Sequence, residues 1–257
     1  KLHGPGWEDR PLEAGRALNV VPDKATYSGQ RLEELLPVIE QSGVNYTEEA
    51  GAVTILGLSK HSKDAAEGVN AIVGLAESLS LIQPHPALLF IADAVGEDAT
   101  GAALFGEIND EPSGALSFNI ATLSIDEQQS EIGIDIRIPV LADKEALVKR
   151  LSEVAASYQL QYEEFDYVAP LYVPLDSPLV STLMAVYQEE TGDQTPAMSS
   201  GGATFARTME NCVAYGALFP DALQTEHQAN ERAKLDDLYR AMEIYAETIR
   251  RLAAKEA

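Results

Sequence analysis

Two neighbouring runs of strict apolar–polar alternation set the tightest limit on what this chain can fold into. Leu116, Phe118 and Ile120 alternate with Ser117 and Asn119. Ile132, Ile134, Ile136 and Ile138 alternate with Gly133, Asp135 and Arg137. A period of two sends successive side chains to opposite faces of a strand, so each run predicts a strand with one buried face. The polar stretch 124–129 between them predicts an antiparallel hairpin.

The rest of the chain must supply layers that cover such a sheet. Leu32, Leu35, Leu36 and Ile39 have helical spacing, with Gly43 as a stop, and Val69, Ile72, Val73, Ala76 and Leu79 form the stripe of a longer helix. Residues 87–94 are apolar on all sides and predict a buried helix. A further helix carries Leu147, Leu151 and Val154. Residues 18–22, 53–58, 158–167 and 213–218 read as additional strands, and the turn-rich opening from His3 to Gly15 reads as loop. Asp176-Ser177-Pro178 is a helix start, with a capping side chain and a proline preset for the first turn, and Gly192 ends that helix. The last helix shows a narrow heptad-like stripe of Leu235, Leu238, Met242, Tyr245, Ile249 and Leu252, which needs a partner surface. A boundary at Val168-Ala169-Pro170 divides the chain into residues 1–170 and 171–257. The class is α+β, with helices on a mostly antiparallel sheet followed by an α/β segment.

Charge removes several functions. With 18 basic and 41 acidic residues the formal charge is −23, which repels a phosphate backbone and an anionic membrane surface. No run of about 18 apolar residues is present, so no membrane span is expected. A single cysteine, Cys212, excludes an internal disulfide, and nothing requires an oxidising compartment.

Chemistry centres on few residues. Of four histidines, His3 falls near the first residue and His85 between two prolines, and both are set aside. His227 lies in the polar stretch Thr225-Glu226-His227-Gln228-Ala229-Asn230-Glu231. Upstream, Ser199-Ser200-Gly201-Gly202-Ala203-Thr204 contains the small residues that let a backbone approach a ligand closely. Arg137 belongs to the polar face of its strand, opposite the isoleucines.

Taken in order, these stretches resemble one family. Residues 200–207, Val213-Ala214-Tyr215-Gly216, residues 227–231 and the final helix are similar to the C-terminal end of the zinc-dependent metallopeptidases that include aminoacylases, carnosinases and dipeptidase V, the last being the branch most alike. Leu18-Asn19-Val20-Val21-Pro22 resembles the opening of that branch's lid domain. Leu58-Ser59-Lys60-His61-Ser62 with Glu67-Gly68-Val69-Asn70 resembles its histidine motif, although Asp64-Ala65-Ala66 intervenes where relatives place a proline. Ile134-Asp135-Ile136-Arg137-Ile138-Pro139 resembles the strand with its substrate arginine.

The resemblance implies a cytosolic dipeptidase using two zinc ions, with manganese or cobalt as substitutes. Residues 1–170 would be the substrate-binding lid and 171–257 the last segment of the catalytic domain. It assigns His227 as a metal ligand and His61 as a hydrogen-bond donor to the oxyanion. Arg137 and Asn19 would grip the carboxylate of a dipeptide, and Gly201 and Gly202 would line it. The family's H-x-D motif is missing: His3, His61, His85 and His227 are followed by Gly4-Pro5, Ser62-Lys63, Pro86-Ala87 and Gln228-Ala229. The pairs Glu33-Glu34, Glu48-Glu49, Glu163-Glu164 and Glu189-Glu190 read as solvated faces. The catalytic base and remaining ligands are therefore expected in an absent N-terminal half, the chain alone is expected to be inactive, and residues 171–257 are expected to expose apolar surface that a homodimer could cover. Rival readings are a deacylase of N-acyl amino acids and a non-catalytic binding or assembly module.

Overall fold

The computed structural model describes residues 1–199, 204–216, 218–222, 225 and 230–254. It divides into two units, 1–168 and 169–257. The strands are β1 (Leu2–Pro5), β2 (Leu12–Ala14), β3 (Lys24–Tyr27), β4 (Tyr46–Glu49), β5 (Ala52–Leu56), β6 (Asn109–Asp110), β7 (Gly114–Ala115), β8 (Ser117–Ile125), β9 (Gln129–Arg137) and β10 (Gln161–Tyr162). The α-helices are α1 (Leu32–Ser42), α2 (Ala71–Ser80), α3 (Pro86–Leu89), α4 (Ala102–Phe105), α5 (Lys144–Ser157), α6 (Pro178–Thr191) and α7 (Leu235–Ala254). None of the helices among the described residues is long and apolar enough to cross a membrane.

The first unit is built on an antiparallel five-stranded sheet in the order β10-β1-β9-β8-β2 and a second antiparallel sheet in the order β3-β5-β4. The hairpin expected from the alternation is β8–β9, with Phe118 opposite Ile136 and Ile120 opposite Ile134. A register shift between Ile120 and Thr122 marks a bulge, after which Leu123 faces Ile132. The bulge moves the apolar positions of β8 from even to odd numbers while those of β9 stay even. At the rung where Gly133 faces Thr122, a Cβ on Gly133 would lie 2.2 Å from Thr122 Oγ1, so only glycine fits.

Helix α2 packs between the sheets, touching β3, β5 and β8. Its N-cap Asn70 accepts from the Ile72 and Val73 N–H groups at 3.0 and 3.3 Å. Leu35, Ile39, Val53, Ile72, Leu75, Leu88, Phe90, Phe118 and Ile132 form one buried core around it. The apolar run 87–94 is α3 continued by a π-helical turn over Phe90–Val95.

Several expectations change. The opening is not loop: β1 is an interior strand paired with β9 and β10. The glycine that suggested a turn is there for packing, because a Cβ on Gly4 would lie 2.5 Å from Leu160 Cδ2. Residues 18–22 contribute only an isolated bridge, Val20 to His61, and the strand begins later, at Lys24. The strand expected over 158–167 shrinks to β10.

In the second unit, α6 begins with Ser177 Oγ accepting from Val180 N at 3.2 Å and packs on α7. Val186, Phe219, Ala241 and Ile244 form its small core. The face that α7 buries is Ala241, Ile244 and Thr248, not the heptad-like stripe, whose Leu235, Leu238, Met242 and Ile249 are exposed. The two stripes differ by one position, about 100° around a helix. No strand occurs over 213–216, because none of the described residues of this unit provides a neighbouring ladder.

His85 is a buried structural residue. Its Nδ1 accepts from Ala87 N at 3.2 Å, its Nε2 lies 3.1 Å from the Pro5 carbonyl, and its ring meets Trp7 edge-on. Desolvation lowers its pKa below the ordinary value near 6.5, partly offset by the Pro5 and Gly6 backbone. The folded state thus keeps His85 neutral where the unfolded chain takes up a proton. Its contribution to stability is complete above the unfolded value and is lost as pH falls through the folded one. His85→Leu is expected to cost about 1–3 kcal/mol near neutral pH, by orphaning the Ala87 N–H and the Pro5 carbonyl. Denaturation of both proteins across pH 5 to pH 8 (roughly the range in which histidine titrates) should show the gap narrowing toward acid. A constant gap would contradict the assignment.

Candidate active site

The polar face of the hairpin carries the site. Ser117 faces Arg137 across the ladder, and Asn119 faces Asp135, so all four side chains share one sheet face. The alternation suggests solvent there, yet Ser117 and Asn119 are only 8% and 1% exposed. Residues 18–20 and a 3-10 turn over Ser62–Glu67 cover them.

The contact between these layers is polar and closely paired. Asn119 Nδ2 donates to the Val20 carbonyl and to Ser62 Oγ, both at 3.0 Å, and its Oδ1 accepts from Asn70 Nδ2 at 3.1 Å. Ser62 Oγ donates to the Leu18 carbonyl at 3.0 Å, the Ser62 N–H to the Asn19 carbonyl at 2.9 Å, and Ser117 Oγ to the Ser62 carbonyl. Asn70 Nδ2 also donates to the Ile120 carbonyl at 2.7 Å. These bonds lash together the segments that carry Asn19 and His61.

His61 caps the 3-10 turn. Its Nδ1 accepts from the Lys63 N–H at 3.1 Å, which in the neutral ring leaves the proton on Nε2 and makes that atom a donor. The imidazole is exposed. The loop bearing it is closed by Leu58 and Val69, which exchange backbone bonds of 2.9 and 3.1 Å. Asp64-Ala65-Ala66 is absorbed into the turn, where Asp64 departs from helical geometry (φ −112°, ψ 31°). Asn19 is exposed in the facing turn.

Arg137 is the last residue of β9. Its Nε and Nη2 donate to Asp135 Oδ2 at 3.2 and 2.8 Å, an ion pair between residues two apart on one face. Asp135 thereby holds one edge of the guanidinium against the strand. The segments that carry Asn19 and His61 are thus bonded to Ser117 and Asn119, which face Arg137 and Asp135 across the ladder. Asn119, Ser62, Ser117 and Asp135 were not foreseen as parts of the site. The available signal was the polar pair Ser117 and Asn119 in β8, on the face that also carries Thr122 and Ser124 once the bulge is counted.

His227, Gly201 and Gly202 lie outside the described residues. Among those described, no three His, Cys, Asp or Glu side chains are placed to hold a metal ion. Glu33-Glu34 lie in the first turn of α1, Glu48-Glu49 on β4, Glu163-Glu164 just after β10 and Glu189-Glu190 on α6.

Comparison with known proteins adds a family. The chain is 34% identical over 258 aligned residues to "Putative dipeptidase YtjP" of Bacillus subtilis, a match covering 94% of this chain and 55% of that protein. It is 27% identical to "Putative dipeptidase SH1171" of Staphylococcus haemolyticus, covering 95% and 56% respectively. The chain spans about half the length of the curated relatives it matches. Residues 32–251 match the family described as peptidase family M20/M25/M40, and the chain belongs to that family.

Proposed function

We propose that this chain provides the substrate grip of a dipeptidase that hydrolyses dipeptides with a free C-terminal carboxylate. The observation that supports the reading is that the segments bearing Asn19 and His61 cover the hairpin face on which Arg137 stands, with residue chemistry suited to the two ends of such a substrate. The relatives' printed names favour a dipeptide over other amides.

In this reading the Arg137 guanidinium takes the terminal carboxylate in charge-assisted hydrogen bonds, and the Asn19 side chain adds another. Asp135 keeps the arginine in place while the substrate is absent. His61 Nε2–H donates to the scissile carbonyl oxygen and bonds more strongly as negative charge develops there, which stabilises the transition state more than the ground state. Lys63 N–H, by occupying Nδ1, keeps the proton on the correct nitrogen.

The resemblance calls for two zinc ions, and the described residues do not form a site for them. We assign one ligand to His227 and the other ligands and the catalytic base to sequence outside this chain. No chemical step through the metals is derived from the residues described.

Kinetics of the longer protein containing this chain, on Ala-Ala and on N-acetyl-alanine, test the proposal. The dipeptide should be the better substrate. Arg137→Leu should raise KM for Ala-Ala about 10- to 100-fold through loss of a charge-assisted pair. His61→Ala should lower kcat by about 10²- to 10³-fold. Preference for N-acetyl-alanine would favour a deacylase, and an unchanged KM in the Arg137 variant would remove the carboxylate grip.

A further inference from the structure

We propose that Asn119, on the hairpin away from the proposed reacting groups, is a positioning residue that fixes His61 relative to Arg137. The inference rests on the dipeptidase reading for its consequence in catalysis, and on geometry alone for its structural content. A buried amide at a strand position flanked by Phe118 and Ile120 is costly unless every polar atom is paired. Here the pairing is saturated. The two N–H bonds go to the Val20 carbonyl and Ser62 Oγ, while a 3.5 Å approach to the Leu18 carbonyl is too long to compete, and Oδ1 takes the Asn70 amide. No donor is left to reach a ligand, so Asn119 acts through its neighbours.

Those neighbours are the two segments flanking the site. Val20 follows Asn19 and bridges His61, and Ser62 follows His61 and donates its N–H to the Asn19 carbonyl. Across the hairpin, the partner of Asn119 is Asp135, which holds Arg137. One rung of the sheet therefore anchors the oxyanion donor on one strand and the carboxylate grip on the other. Ser117 repeats the link two residues away on the same face, bonding the Ser62 carbonyl while facing Arg137 itself. The spacing between the groups that hold the two ends of a substrate is set by the Ser117–Arg137 and Asn119–Asp135 rungs of β8–β9. Asparagine is specified because a carboxylate in its place would face the Val20 carbonyl, and leucine would keep the shape and remove the bonds.

The test uses Asn119→Leu in the full chain. Hydrogen exchange of the Val21, Ser62 and Lys63 amides should accelerate at least about tenfold while Ile132 and Ile134 hold their rates, as local opening requires. The ring ¹⁵N shifts of His61 should move from the Nε2–H pattern toward a tautomer mixture. Unchanged exchange and unchanged shifts would overturn the proposal. Should Asn119→Leu fail to fold, Ser62→Ala, which removes the Ser62 hydroxyl's bonds to Asn119 and to the Leu18 carbonyl, decides on the same two readouts. In the longer protein, Asn119→Leu should lower kcat on Ala-Ala at least about tenfold with KM within about threefold, the split expected when an interaction made in the transition state is lost. An unaltered kcat would also overturn it. If the wild-type protein hydrolyses no dipeptide, the functional reading fails, and the exchange and ring-shift results still decide the role of Asn119.

Discussion

The seating of residues 18–20 and the Ser62–Glu67 turn over the β8–β9 hairpin depends on a buried amide. Asn119 is the third residue of β8, with apolar neighbours before and after it, and it converts what would be a solvated sheet face into an interface with residues 18–20 and the Ser62–Glu67 turn. Removing such a group leaves carbonyls unpaired in a place water does not reach, a penalty avoided only when the covering segments are correctly seated. The network therefore works as a register lock. It tolerates one placement of Asn19 and His61 over the hairpin, and it continues through Asn70 into the cap of α2, which packs against both sheets.

The same hairpin shows what was legible in the sequence. Isoleucines at 132, 134, 136 and 138 gave β9 and its facing partner directly, because a two-residue period is the mark of a strand with one buried face. The Asp176-Ser177-Pro178 stretch marked the start of α6 through local chemistry, with Ser177 as the cap. β1 was hidden because its Gly4 and Pro5 serve close packing and a strand end, and turn statistics cannot tell that use from a loop. The stripe read for α7 is mostly exposed, in keeping with the apolar surface expected over 171–257, and the face α7 does bury was missed because it uses Ala241 and Thr248 beside Ile244. Small residues mark a close helix contact that hydrophobicity alone ranks low.

For the candidate site, the positions of Asn19, His61 and Arg137 were found through resemblance, and composition alone would not have singled them out. What resemblance did not supply is the support beneath them: Ser62, Ser117, Asn119 and Asp135. For Ser62, Ser117 and Asn119 the relevance comes from side-chain bonds between residues 44 to 99 apart in sequence, as between Leu18 and Ser62 or between Val20 and Asn119. The tautomer of His61, by contrast, follows from a local contact, the backbone N–H two residues on, which exists only once the turn has formed. In a chain of formal charge −23, the Arg137–Asp135 pair also keeps a cation oriented, as the proposed carboxylate grip requires.

The central claim is that these three side chains address the two ends of a single short substrate. A crystal structure of the longer protein with a phosphinic dipeptide analogue, whose tetrahedral centre mimics the attacked carbonyl, tests it most directly. The account requires the analogue's carboxylate at hydrogen-bonding distance, about 3 Å, from Arg137 and Asn19, with a phosphinyl oxygen equally close to His61 Nε2. A carboxylate bound elsewhere, with Arg137 still closed on Asp135 and His61 facing solvent, would contradict it.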